Sequence, residues 1–190
     1  MDRKFTLNGP DFYPRSNIKP KKIVILLHGV GADGENLMPL ATEFSKILPD
    51  AYFVAPNGAE KYDAGIGVNG SYGFQWFSTS DRTFEKMSQG VQRASEKVSK
   101  FVAEKLEEFD LSYSDLIIVG FSQGAMTAIH TSLRLPEKCA AVICFSGGLI
   151  VRDCDKSEIK AKPPVCMIHG MDDDVVPYEM TEKSKPVLDA

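Results

Sequence analysis

A chain of 190 residues is long enough for one domain with a core of its own. Apolar residues make up 43% and charged residues 25%, the mixture of a soluble globular protein rather than a disordered or fibrous one. The net charge of −4 gives no global basic field for nucleic acid or anionic lipid. No run of about 18 apolar residues is present to span a membrane, and the opening "MDRKFTLNGPDFYPRSN" lacks an apolar segment of signal-peptide length.

In chain order, Lys19, Lys21 and Lys22 form the one basic cluster, read as a solvated strand entrance because an apolar run follows. That run, "KKIVILLHG" from Lys21 to Gly29, is continuous and ends at glycine, the pattern of a strand buried on both faces. Leu37, Leu40, Ala41, Phe44, Ile47 and Leu48 then recur at helical spacing, and Pro49 closes the stretch. "AYFVAP" is a short strand. The glycine-rich "NGAEKYDAGIGVNGSYGFQWFSTSDRT" shows no period and is expected to be a long functional loop.

A long amphipathic helix follows, with Val91, Ala94, Val98, Phe101, Val102 and Leu106 on one face. "SDLIIVG" is a second buried strand, "SQGAMTAIHTSLRLP" a helix stopped by Pro136, "CAAVICFSGG" a third strand and "PPVCMIHG" a fourth. "PYEMTEKSKPVLDA" opens a further helix. Buried strands alternating with helices imply a mostly parallel sheet with crossover helices, an α/β fold. In such sheets ligands sit at the carboxyl ends of the strands. The exits His28-Gly29, Gly120, Gly147-Gly148 and His169-Gly170 therefore share one edge, and the candidate chemistry lies there. Cys139, Cys144, Cys154 and Cys166 form no CxxC pair and are read as buried free thiols of a reducing cytosol, not as zinc ligands or disulfides. Nothing in the sequence suggests a metal or an organic cofactor.

"GFSQGAM", Gly120 to Met126, has the form G-x-S-x-G at a strand–turn–helix crossing, the nucleophile elbow that lifts a serine above the sheet. A tight turn with an incidental serine is the plainer alternative. The helix that begins after Ser122 offers unpaired N–H groups to a developing oxyanion. "LHGVGADGENL" lets backbone approach a ligand and lacks the G-K-[ST] ending of a phosphate loop. The backbone N–H groups of Val30 and Gln123 are assigned as the two oxyanion donors. "HGMDDDVVP" offers Asp172, Asp173 and Asp174 as an acid that would orient a histidine, with a solvated acidic turn as the rival.

These three stretches, with "CFSGG", resemble the carboxylesterase/phospholipase branch of the α/β-hydrolases, which includes the acyl-protein thioesterases. The likeness is nearest to its bacterial carboxylesterases and runs from about Lys21 to Pro177. It implies the α/β-hydrolase fold in a single domain, Ser122 as nucleophile, Val30 and Gln123 as oxyanion donors, and the order Ser, Asp, His. Its acid pattern H-G-x-x-D-x-x-V-P selects Asp173.

The histidine of that pattern lies past one more strand, beyond Ala190. The chain is therefore expected to be C-terminally incomplete, lacking the last strand and helix; a natural short form without catalysis, or a histidine supplied from another chain, are the alternatives. His130 is eight positions after Ser122 on the same expected helix, about 12 Å along its axis and out of reach. His28 is read as structural, and His169 fills the first position of the family's acid pattern, which the resemblance implies is not the base. The 190-residue chain is accordingly expected to be nearly inactive.

Tyr72, Phe74, Trp76 and Phe77 cluster on the loop, and Trp76, Phe77 and Met126 are the candidate substrate-groove residues. The function implied is hydrolysis of an ester or thioester with an apolar acyl group through a Ser122 acyl-enzyme, in the cytoplasm. The substrate would be a small-molecule or lipid ester, or an acylated protein, with no nucleic-acid partner and a homodimer possible through an exposed strand edge. The other reading is a non-catalytic acyl-binding protein. The leaving group is left open.

Overall fold

The computed structural model describes residues 5–14, 18–68, 70, 72–150 and 159–189. Eight strands are present among them: β1 (Asp11–Phe12), β2 (Lys22–Leu27), β3 (Ala51–Val54), β4 (Glu60–Ile66), β5 (Tyr72–Gln75), β6 (Leu116–Phe121), β7 (Ala141–Phe145) and β8 (Val165–Ile168). The α-helices are α1 (Met38–Phe44), α2 (Phe84–Phe109), α3 (Gln123–Ser132) and α4 (Glu179–Leu188). Six strands form one sheet in the order β1-β3-β2-β6-β7-β8, parallel except for β1, which runs antiparallel to β3.

The continuous apolar run of β2 has two faces to bury because side chains alternate across a strand. Ile23, Ile25 and Leu27 join the cluster built with Val91, Val98 and Phe101 of α2 and Ala125 and Ile129 of α3. Val24 and Leu26 join Phe53, Val119 and Ala41 of α1 on the opposite face. The result is a three-layer α/β domain, and the register Leu27↔Gly120↔Cys144↔Met167 brings the carboxyl ends of the central strands level. All six residues expected on the apolar face of the long helix are buried. That helix stops where Asp110 turns left-handed (φ 56°, ψ 53°) and the Leu111 amide returns to the Leu106 carbonyl. The lysine cluster is a solvated strand entrance: Lys19, Lys21 and Lys22 pair with Asp110, Asp50 and Asp115.

Three expectations need correction, and one strand was not foreseen. The glycine-rich segment is not structureless, since β4 and β5 pair as an antiparallel hairpin. Its face exposes Ile66 and Tyr72, so no apolar period marks it. The short β1 carried no sequence signal. The first helix ends at Phe44, which leaves Ile47 out of the apolar face and 76% exposed. Cys139 and Cys144 are buried free thiols, but Cys166 is exposed on β8, whose outer side pairs with no strand among the described residues; Cys154 lies outside them. Among the described residues no helix is long and apolar enough to cross a membrane.

Candidate functional site at the strand exits

At the elbow, close packing dictates the sequence. A Cβ at Gly124 would stand 2.0 Å from the Leu27 carbonyl oxygen, and one at Gly120 would stand 2.4 Å from the Gly124 carbonyl oxygen. Only glycine lets α3 start this near β2 and β6. Ser122, between strand and helix, takes φ 53° and ψ −117°, outside the region that L-residues favour. Its amide donates to the Phe145 carbonyl at 2.9 Å, and its carbonyl accepts from Ala125 at 2.9 Å, so both flanks of the strained residue are tied. The ten-residue α3 directs its N-terminal amides and positive dipole end toward the serine.

Opposite lies the turn after β2. A Cβ on Gly29 would meet the Ser122 Cβ at 3.5 Å, so this turn touches the serine. The hairpin holds it from behind. Gly31 donates to the Phe74 carbonyl (2.8 Å), Phe74 to the Ala32 carbonyl (2.8 Å) and Val68 to the Gly31 carbonyl (3.0 Å). Gly31 sits at φ 76° against the Tyr62 ring. The Ala32 amide returns to the Gly29 carbonyl, and the Val30 N–H, like that of Gly29, pairs with no group among the described residues. Val30 and Gln123 thus stand on the two backbone segments that flank Ser122.

The acid turn discriminates among its three aspartates. Asp172 and Asp174 are exposed, whereas Asp173 is half-buried and its Oδ1 accepts from Val175 at 3.0 Å and Val176 at 2.9 Å. The amides of Val176 and Val175, with the Ser146 hydroxyl and His169, hold its carboxyl below the usual aspartate range.

His169 and His28 are held by hydrogen bonds at both ring nitrogens, whereas the buried Nδ1 of His130 has no partner among the described residues. His169 donates from Nε2 to the Val176 carbonyl (2.8 Å) and shares Nδ1 with the Thr181 hydroxyl (2.7 Å), with a side chain 1% exposed. His130 is buried in α3, and that burial pushes its pKa down to about 3. His28 is buried with Nδ1 at 2.7 Å from the Gly29 carbonyl oxygen and Nε2 accepting from the Gly58 amide at 2.8 Å.

The groove residues are corrected. Trp76 and Phe77 are 1% and 0% exposed and present no surface to an open groove. Trp76 donates from Nε1 to the His28 carbonyl at 2.8 Å, and Phe77 packs under Gly90 of α2. Their aromatic character pins the hairpin to the core. Met126 is 7% exposed and belongs to the same cluster.

The apolar recess at this edge is formed instead by Phe84, Met87, Leu149, Ile150, Pro177 and Met180, with a volume of about 360 Å³. Leu149 and Ile150 of its wall follow Gly147, where a Cβ would meet the Ser122 carbonyl oxygen at 2.8 Å, so the chain that builds the recess passes against the elbow. The "LI" after "CFSGG" was the available signal for it. A larger recess of about 490 Å³ lies along β8 and α4; it is the more polar of the two, and neither recess has an elbow residue in its wall.

The side chain of Gln123 was also missed in the sequence, where only its backbone stood out. Its Oε1 accepts from the Trp76 amide (2.8 Å) and its Nε2 donates to the Phe77 carbonyl (2.7 Å), locking the elbow to the end of the hairpin.

The model of the phospholipase/carboxylesterase family matches residues 14–190. Acyl-protein thioesterase 1 of Saccharomyces cerevisiae is 31% identical over 183 residues, covering 90% of this chain and 78% of that protein. Esterase YpfH of Escherichia coli is 26% identical over 167 residues, 87% of this chain and 68% of that protein. Among solved structures, esterase PE8 superposes with a TM-score of 0.87 at 38% identity, covering 96% of this chain and 83% of that one.

Proposed function

We propose that this chain, which belongs to the phospholipase/carboxylesterase family of α/β-hydrolases, hydrolyses carboxylic esters or thioesters with an apolar acyl group through an acyl-enzyme at Ser122. The observation that carries this reading is the strained Ser122 (φ 53°) at the mouth of α3, faced by the Gly29–Val30 turn. In the mechanism the Ser122 hydroxyl attacks the acyl carbonyl carbon. The negative charge that forms on the carbonyl oxygen accepts hydrogen bonds from the Val30 and Gln123 amides, which are preset and need no reorganisation. The serine proton passes through solvent, or through a histidine base where one is supplied, to the leaving oxygen or sulfur. Collapse then expels the alcohol or thiol and leaves the acyl group on Ser122, and water, giving up its proton by the same route, releases the carboxylic acid and restores the hydroxyl. The recess lined by Leu149, Ile150 and Met180 would take the acyl chain. The yeast relative is named as an acyl-protein thioesterase, which brings an acylated protein into the substrate class. The buried free thiols of Cys139 and Cys144 support a reducing, cytoplasmic setting.

Asp173 serves as the acid that orients and stabilises an imidazolium. It is a poor proton acceptor itself, because its carboxyl is held below the usual range. Since His28 and His169 are committed to hydrogen bonds and His130 is buried eight residues along α3 from Ser122, the 190-residue chain turns over slowly, by binding and the oxyanion hole alone. The same commitment favours a second reading, an acyl-binding protein without turnover. The test is kcat/KM for p-nitrophenyl butyrate on this chain, on Ser122→Ala and on a form extended by a strand bearing a histidine. The extension raises the rate by about 10³-fold or more, and Ser122→Ala abolishes it in both lengths. Turnover unchanged in Ser122→Ala would remove the nucleophile. Fatty-acyl binding without Ser122-dependent turnover in either length would establish the second reading.

A further inference from the structure

The geometry points to His28 as a positioning residue for the oxyanion hole: its ring holds the Gly29 carbonyl and thereby aims the Val30 N–H at the other end of the same peptide unit. The inference rests on the reading of Val30 as an oxyanion donor. The Gly58 amide can only donate, so the His28 Nε2 that receives it at 2.8 Å carries no proton. The ring proton is therefore on Nδ1, and Nδ1–H donates to the Gly29 carbonyl at 2.7 Å. Burial pushes the His28 pKa down, which keeps the ring in this neutral form.

The peptide that joins Gly29 to Val30 is planar, with its C=O and N–H pointing in opposite directions. Fixing the oxygen fixes the N–H. The restraint matters here because Gly29 precedes the peptide and Gly31 follows Val30, so the local backbone resists rotation weakly. The Ala32 amide also reaches the Gly29 oxygen, at a longer 3.2 Å, so the ring supplies one of two holds. The ring is itself immobile. Trp76 lies across it with centroids 5.4 Å apart and bonds to the His28 carbonyl, and Gly58 is wedged against Gln75, where a Cβ would come within 2.5 Å of the carbonyl oxygen. The hairpin is thus coupled to the oxyanion turn through one imidazole.

The variants His28→Asn and His28→Gln separate positioning from mere support. The Asn amide nitrogen falls near the place of Nδ1 and keeps the donor to Gly29; the Gln amide falls near Nε2 and keeps the acceptor for Gly58 but leaves Gly29 without its donor. The probe is butylboronic acid, which forms a tetrahedral anion on a serine hydroxyl, titrated into the 190-residue chain with 15N labelling. Affinity should fall about tenfold in His28→Gln and less than about twofold in His28→Asn. Equal losses in the two, or none in His28→Gln, would overturn the assignment. Ser122→Ala should eliminate binding; if it does not, or if the unmodified chain binds no boronate, the oxyanion-hole reading itself falls, a result distinct from failure at His28. Should both His28 variants unfold, the histidine 15N spectrum of the unmodified chain decides. A proton on Nδ1, with a Val30 amide signal that moves on boronate binding, supports the role, and a proton on Nε2 or an unmoved Val30 signal refutes it.

Discussion

The two halves of the candidate site are built by different physics. The Ser122 half is set by close backbone contact at the centre of the sheet, where β2, β6 and α3 meet with no room for a Cβ at Gly120 or Gly124. The Asp173 half stands after the edge strand β8 and is held by two amide hydrogen bonds in an exposed turn, where a Cβ added at Gly170 would meet nothing within 4 Å. One half is therefore expected to fail sharply on small changes and the other to tolerate them. The geometry of Ser122 is a property of the core, and that of Asp173 is a property of a short loop.

The comparison breaks first at the glycines. Gly124→Ala places a methyl group 2.0 Å from the Leu27 carbonyl oxygen, and backbone cannot yield as a side chain tip would. A loss of about 3 kcal/mol or more, read from urea unfolding, is expected. Gly170→Ala, in the other half, should change stability by less than about 0.5 kcal/mol. Similar losses in the two would show that the halves are not built differently.

The next effect is electrostatic. The folded-state pKa of Asp173 is depressed, so its contribution is present above the unfolded aspartate value of about 3.9 and is lost as pH falls through the folded value. In Asp173→Asn, which retains an oxygen for the two amides, thermal unfolding between neutral and acid pH should lose that component of its acid sensitivity. An unchanged pH profile of Tm would mean that the carboxylate is not held as described. Cys166→Ser, on the exposed face of the edge strand, should lie within about 0.5 kcal/mol of the parent, whereas Cys144→Ser puts a hydroxyl in the buried core and should cost about 1–3 kcal/mol.

What the sequence made legible follows the same division. β2, α2 and β6 could be read because burial imposes a period, and Val91, Val98 and Phe101 lie where that period places them. The elbow could be read because the steric demand at Gly120 and Gly124 leaves glycine as its trace. The β4–β5 hairpin could not. It is tied to the oxyanion turn by backbone pairs from Gly31 and Ala32 to Phe74 and Val68, and the marks it leaves, Gly67 and Gly73 against the Gly31 carbonyl and Gln75 bonded to Asp63, carry no apolar period. Trp76 misled for a related reason: an aromatic in a glycine-rich stretch signals a contact but not its direction, which here is inward onto His28. The Gln123 side chain was hidden because its partners are main-chain atoms of Trp76 and Phe77, distant in sequence.

The central claim is that Ser122 is the nucleophile. The most direct measurement is the intact mass of the 190-residue chain after prolonged incubation with p-nitrophenyl butyrate, followed by mapping of the adduct. Acylation by the activated p-nitrophenyl ester should outrun hydrolysis of the resulting alkyl ester, so that one butyryl group accumulates on Ser122, and the Ser122→Ala variant should carry none. A chain that stays unmodified, or a Ser122→Ala variant acylated to the same extent, would contradict the account.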